Sequence, residues 1–374
     1  MIDSKGAEAA VELAKQLITI PSTSGHETEI LFFLKNWLRA QGFKFVHRDT
    51  RFVTARIQGK SSERALILSG HIDTVVPGDK NTWDYSPYQA VEDTEKGRLI
   101  GLGASDMLSG IASNLTVARQ FLDKELDYDL WVVATANEEL DGQGSADFVR
   151  WFEINSSYQS AACIISEPSN LEQIEIGQRG NRFMSFNFQG ESGHGSLQDN
   201  FDKSALFKLE NFLGNLPIIV KNLKKYSNSV LGQPTLVPTA VNAGNPKAPN
   251  KTASRVDLTI DLRTTPQLDD SFDTFIQKLA EEYAFTWRYV ANPVPSTLVN
   301  PELPFIQKLS EITQVKALVA SASSNDSGFF ETAGIPTVIF GPGSIEQAHQ
   351  ANEYIEIANI ERFVQILENY LKIY

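Results

Sequence analysis

The sequence predicts an α/β protein: a mainly parallel sheet flanked by helices, interrupted by a smaller inserted α+β domain. Three observations predict it. Dense apolar runs at Ala65–Leu68, Leu130–Ala134 and Ala161–Ile165 are bounded by polar or turn residues, as buried parallel strands are. Between the first two, Ile111, Leu115, Ala118 and Leu122 recur at helical spacing. After Gly177 the strands alternate apolar and polar residues instead, and from Asn292 the dense texture returns.

Each element has a local reason. Val11, Ala14, Leu17 and Ile18 mark one face of a first helix. Ser24-x-x-Glu27 reads as a capping box ahead of Ile30, Leu31, Leu34, Trp37 and Leu38, and Gly42 suits that helix's C′ position. In the insertion, Met184, Phe186 and Phe188 alternate with polar residues, and Ala205–Leu213 reads as helix. Val256, Leu258, Ile260 and Leu262 alternate again, Phe272–Tyr283 is helical, and Thr286–Val290 closes the set. With Thr235–Val241 as the remaining strand, the order is β-α-β-β-α-β, the split-βαβ module. Strands at Ala317–Ala320 and Thr337–Phe340 and a helix over Ile360–Tyr374 complete the first domain. The expected division is residues 1–177 plus 293–374 for one domain and 178–292 for the insertion, with the second crossing at Ala291-Asn292-Pro293-Val294-Pro295.

Composition narrows the function. With 374 residues, 42% of them hydrophobic, the chain can bury two cores. A formal net charge of −13 repels phosphate backbones, so no nucleic-acid partner is expected. The single cysteine, Cys163, excludes an internal disulfide, fits a reducing compartment, and reads as a buried, inert thiol in an apolar run. The start, Met1–Gly6, lacks a cationic segment leading into an apolar one, and no apolar stretch approaches the roughly 20 residues that span a bilayer. A cytoplasmic enzyme with no membrane partner is the expectation.

Acidic and imidazole groups gather where the predicted strands end. Ala65–Leu68 runs into His71-Ile72-Asp73, Leu130–Ala134 into Glu138-Glu139, and Ala161–Ile165 into Glu167. In open α/β sheets, ligands collect at the carboxyl ends of the strands. Asp106 precedes a helix, which leaves a capping role open, and His349 follows another apolar run. Taken singly, each is ordinary: a loop histidine, a solvated acidic pair, a Glu-Pro turn. Their conjunction suits mixed His/Asp/Glu ligation of zinc or a similar divalent ion.

The segments Ser69-Gly70-His71-Ile72-Asp73, Gly101-Leu102-Gly103-Ala104-Ser105-Asp106-Met107, Asn137-Glu138-Glu139, Ser166-Glu167-Pro168 and Ala348-His349-Gln350-Ala351-Asn352-Glu353 resemble, in order, the motifs of the M20 metallopeptidase family. That family includes acetylornithine deacetylase and succinyl-diaminopimelate desuccinylase. The resemblance implies a zinc-exopeptidase-like catalytic domain carrying a ferredoxin-like lid. It implies two divalent metal ions, zinc first, with cobalt or manganese as alternatives. His71 and Glu167 would hold one, Glu139 and His349 the other, and Asp106 both. Asp73 would take the second ring N–H of His71, and Glu138 would be the general base acting with a metal-bridged hydroxide.

In the insertion, Gly193-His194-Gly195-Ser196 resembles the family's lid motif, whose histidine donates to the oxyanion, often from a partner subunit. This implies a homodimer through the lid. Asn242 resembles a substrate-contact asparagine, and Arg179 and Arg263 resemble carboxylate-binding arginines, with structural ion pairs as the alternative. Ser324–Gly328 opens a helix whose N–H groups offer an anion site. Two departures stand out: Leu108-Ser109-Gly110 follows Met107 where Lys-Gly-Gly is common, and Gly195-Ser196-Leu197-Gln198-Asp199 lacks the usual proline. The leading expectation is hydrolysis of an N-acyl amino acid, as acetylornithine deacetylase performs. A dipeptidase or aminoacylase is the runner-up. A non-catalytic binding protein on the same fold and a two-metal phosphoesterase are the readings from other classes.

Overall fold

The computed structural model describes residues 4–61, 63–197, 199, 202–321 and 323–374, so Met1–Asp3 and Gln198 lie outside the described residues. The chain divides into two compact units. One holds the described residues up to Gly177 with Val299–Ser321 and Asn325–Tyr374; the other holds Gln178–Leu298 and the segment ending at Ser324. The return crossing thus stands at Val299 rather than Pro293. Asn181 and Val294 exchange backbone hydrogen bonds of 2.8 and 2.9 Å, and the Ser296 N–H donates to Asp269 at 2.9 Å. These bonds tie residues 294–296 to the inserted unit.

In the first unit the main sheet runs, in space, Phe45–Arg48, Phe52–Ile57, Asp129–Thr135, Arg64–Ser69, Ser160–Ile165, Thr337–Ile339 and Ile174–Gln178. Arg64–Ser69 is parallel to both Asp129–Thr135 and Ser160–Ile165, which is parallel to Thr337–Ile339. The first two strands form an antiparallel margin. Ile67, Trp131, Val133, Cys163, Ile165 and Ile339 pack with Phe148, Phe152 and Phe330. Burial holds the Cys163 thiol well above its ordinary pKa, so it is inert as read.

The helix Ser109–Arg119 packs against the helices Ser4–Ile18 and Ile357–Leu371 and is buried from Ser109 to Ala118. The Leu-Ser-Gly departure fits this burial. A Cβ at residue 110 would come within 2.5 Å of the Ser166 carbonyl oxygen, so only glycine fits. Helix Thr28–Ala40 ends as expected: Gly42 has φ +95°, its N–H donates to the Arg39 carbonyl, and the Phe43 N–H donates to Leu38. Its start differs. The N-cap is Glu27 without a side-chain cap bond, and the Ser24 hydroxyl donates to Asp73 at 2.7 Å. The Ser24 hydroxyl is turned toward the buried Asp73 carboxylate, to which it donates, rather than placing its oxygen on the first N–H groups of the helix.

The second unit is Gly180–Gln189, Ala205–Leu223, Thr235–Ala243, Arg255–Thr264, Phe272–Tyr283 and Phe285–Tyr289 in β-α-β-β-α-β order. Its antiparallel sheet is ordered Thr235–Ala243, Arg255–Thr264, Gly180–Gln189, Phe285–Tyr289. Met184, Phe186, Phe188, Leu258 and Ile260 face Phe212 and Ile276 in one core. Each such side chain contributes roughly 1.5–3 kcal/mol. The first helix continues past Leu213 through Pro217, because Ile219 and Leu223 also enter that core. No helix among the described residues is long and apolar enough to cross a membrane.

Glu331 gives one stability prediction. Its carboxylate accepts the Thr337 N–H at 2.5 Å, and burial pushes its pKa up to about 7 from 4.5. A raised carboxyl stabilises the fold below pH 4.5, and that contribution is lost as the pH climbs through 7. Glu331→Gln is therefore expected to raise the melting temperature at pH 8, by on the order of 2–4 °C if about 1 kcal/mol is recovered. No gain is expected at pH 4.5. Thermal unfolding at the two pH values checks it.

Candidate metal centre

The parallel register assembles the centre. Beyond strand Arg64–Ser69, the Thr135 N–H donates to the Gly70 carbonyl at 2.9 Å and the Ile72 N–H donates to the Thr135 carbonyl at 2.8 Å. This rung sets His71 beside the chain that leads into Glu138 and Glu139. On the other flank the Ser166 N–H donates to Ser69 at 3.1 Å, so Glu167 follows alongside. The Met107 sulfur accepts the His71 backbone N–H at 3.3 Å.

His71 Nε2 lies 3.1 Å from Asp106 Oδ1 and 3.5 Å from Glu167 Oε1. His349 Nε2 lies 3.0 Å from Glu139 Oε1 and 3.6 Å from Asp106 Oδ2. Asp106 therefore stands between the two imidazoles with one oxygen toward each. Capping is not its role, since the helix that follows has Leu108 as N-cap with no side-chain bond. Donor atoms of His71, Asp106 and Glu139 lie within 4.8 Å of one another, as do those of His71, Glu138 and Glu167. The second triplet includes Glu138, which the family resemblance leaves outside the ligand set.

The charges are frustrated without a cation. Burial pushes Glu167 up to about 8, with Asp106 and Glu139 adding to it. Burial likewise holds Glu138 well above the ordinary carboxylate range, and Glu167 reinforces this. Burial opposes charge on His71, yet Glu167 and Asp106 outweigh it and raise that imidazole. The hydrogen bond to Glu139 lifts His349 to about 9. For Glu167 and Glu138, burial first and the crowding of like charges second disfavour the ionised form.

Asp73 is placed differently from the expectation. The His71 Nδ1 partner is the Asp73 backbone carbonyl at 2.9 Å, while the carboxylate lies 3.7 Å away. That carboxylate instead accepts the N–H groups of Glu138 (3.0 Å) and Glu139 (3.1 Å) and the Ser24 hydroxyl. It shapes the loop that carries both glutamates. The reason is the strand-end turn, which brings the carbonyl, not the side chain, to the ring.

Sequence reasoning missed three supporting carboxylates. Glu27, a capping residue by its sequence position, accepts from Gly25 at 2.8 Å and from the Asn137 backbone. Asp326 accepts the Ser145 hydroxyl at 2.5 Å, and burial pushes it up to about 7. Its segment, in sequence, offers an anion site, but the helix Ser327–Thr332 is six residues long and the Ser327 N–H already donates to Asn325 at 3.0 Å. Glu353 accepts three backbone N–H groups around Asp106. The one sequence signal was its place in the His349 segment.

The remaining expected residues lie in the inserted unit. His194 is exposed, with Nδ1 2.8 Å from the Ser196 hydroxyl, and the Gly195 N–H donates to Asn250 at 2.7 Å. Asn242 is exposed on strand Thr235–Ala243. Arg263 forms a two-pronged ion pair with Asp261, at 2.7 and 3.1 Å, and donates to the Ser324 hydroxyl. Arg179 has a 3.4 Å bond to the Gln233 carbonyl and, among the described residues, no carboxylate partner.

The profile of Peptidase family M20/M25/M40 matches residues 67–373. The chain belongs to this family. The M20 chain is 29% identical to the acetylornithine deacetylase of Proteus mirabilis, over 96% of each. Its fold is similar to that of an M20 metallo-carboxypeptidase from Sulfolobus solfataricus, with a TM-score of 0.78 at 17% identity, covering 97% of this chain and 98% of that one. It is also similar to a dinuclear metal binding M20 peptidase of Bacillus subtilis, with a TM-score of 0.71 at 14% identity, covering 99% and 98%. This M20 protein is a hydrolase acting on amide bonds, from a metal-dependent family.

The residues present in the M20 site fit a pair of divalent cations. Two imidazoles and three carboxylates offer hard and borderline donors, and a cation would offset the burial and the like-charge crowding that raise Glu167 and Glu138.

Proposed function

We propose that this M20 hydrolase cleaves the amide bond of an N-acyl amino acid, releasing a carboxylate and a free amino acid. The observation that carries the reading is Asp106 standing between His71 and His349 while Glu138 sits beside Glu167. His71 and Glu167 would hold one divalent cation, Glu139 and His349 the other, and Asp106 both. Zinc is the first choice, with cobalt or manganese as substitutes. Bound there, such ions bring the pKa of coordinated water toward neutrality and polarise a carbonyl.

Glu138 takes the proton of the attacking water and returns it to the leaving amine nitrogen. A carboxyl raised by burial exchanges protons nearer neutral pH, as that double duty requires. Asp73 orients it through the two backbone N–H groups. Of the two arginines, Arg179 suits a substrate carboxylate better, since the Arg263 charge is already matched by Asp261. Asn242 would contact substrate, and His194 would donate to the oxyanion, within a homodimer if it acts across subunits. The nearly 30% relatedness to acetylornithine deacetylases supports an amino-acid leaving group.

The test is a panel of N-acetylornithine, N-succinyl-diaminopimelate, other N-acetyl amino acids and dipeptides, with zinc or cobalt added. Amine release from at least one N-acyl amino acid, abolished by chelator and restored by metal, is expected. Cleavage of dipeptides alone moves the protein to the dipeptidase branch. Turnover of none of them overturns the proposal.

A further inference from the structure

Four residues beyond His349 the chain buries a carboxylate that holds no place among the five donors. Glu353 is 1% exposed. Its Oε1 accepts the N–H groups of Ser105 at 2.8 Å and Asp106 at 2.9 Å, and its Oε2 accepts that of Gly103 at 2.9 Å. Its backbone carbonyl accepts the Gly101 N–H at 2.9 Å. Glu353 thus accepts four backbone N–H groups from the approach to Asp106. Asp106 itself has φ −123° and ψ 94°, so no regular helix supplies partners for these buried N–H groups.

The acceptor has to be a carboxylate. One oxygen takes two N–H groups and the other takes a third, whereas a glutamine amide would turn an N–H toward that of Gly103. The same turn carries His349, so the side chain fastens one cation-binding loop to the other. A second fastening lies alongside. The Ser344 N–H donates to the Ser105 hydroxyl at 2.7 Å, which donates to the Ser344 carbonyl at 3.0 Å.

We infer that Glu353 is a positioning residue that fixes Asp106, and through it the placing of both cations. The inference rests on the proposed reading of Asp106 as the shared donor. It predicts that loss of Glu353 weakens the two sites together, unlike loss of a donor belonging to one site.

The experiment is titration of Co²⁺ into chelator-treated protein, followed by calorimetry and by visible cobalt absorption. Wild type is expected to take up two ions. Glu353→Gln, close in shape and chosen to keep the fold, should weaken both by about tenfold, and Glu353→Ala by up to about a hundredfold, with altered absorption. Glu139→Ala should weaken one site. Glu331→Gln alters a partly buried carboxylate that accepts a backbone N–H and belongs to neither donor group, and should leave both affinities unchanged. Wild-type affinities in both Glu353 variants, or a loss no greater than in Glu331→Gln, overturns the inference while leaving the metal site standing. Absence of Co²⁺ uptake by wild type overturns the metal site and the inference with it.

Discussion

Glu138→Ala is expected to lower kcat by about 10²–10⁴ while uptake of two cations stays intact. The effect is large because one group serves twice, removing a proton from water and delivering it to an amine. It is selective because Glu138 is outside the proposed donor set. That selectivity is a genuine test here, since Glu138 lies in one of the two donor triplets, with His71 and Glu167. If Glu138 were a ligand, metal and activity would fall together. Steady-state kinetics with metal analysis of the same sample separates the two. A base acting only in the transition state leaves KM little changed.

Asp106→Ala is the second large effect. Asp106 is the residue whose two oxygens face different imidazoles, so its loss should weaken both cation sites by more than about a hundredfold, the upper figure for groups that merely orient a ligand. Hydrolysis should fall with cation binding, and high added zinc should restore little of it. The pH dependence has a definite sign. In the cation-free protein His349 is raised to about 9 by its bond to Glu139 and is protonated at neutral pH. A cation must displace that proton, so affinity weakens as the pH falls and binding releases protons. Calorimetry in buffers of different ionisation enthalpy measures the release.

Much of this was legible in the sequence, for identifiable reasons. Dense apolar runs locate the strands because parallel strands are buried on both faces, and the residues after each run follow the carboxyl ends of neighbouring parallel strands. Those ends carry His71, Glu138, Glu139 and Glu167. Alternation located the inserted sheet equally well. Hydrogen-bond partners were not legible. Nothing in Ser24-x-x-Glu27 says that the serine answers a carboxylate 49 positions away, or that Glu27 braces the Asn137 turn. Asp73 carried the right neighbourhood and a different contact, because the choice between carbonyl and carboxylate depends on a turn that residue types do not encode. Glu353 and Asp326 were hidden for the same reason: their partners are backbone amides or hydroxyls brought in by long-range packing.

A two-cation site shared through Asp106 can be seen outright by anomalous diffraction at the zinc edge from zinc-loaded crystals. Two peaks are expected, one bounded by His71, Glu167 and Asp106 and the other by Asp106, Glu139 and His349, with Glu138 bound to neither. A lone peak held by His71, Glu138 and Glu167, or no peak in the cluster, would contradict it.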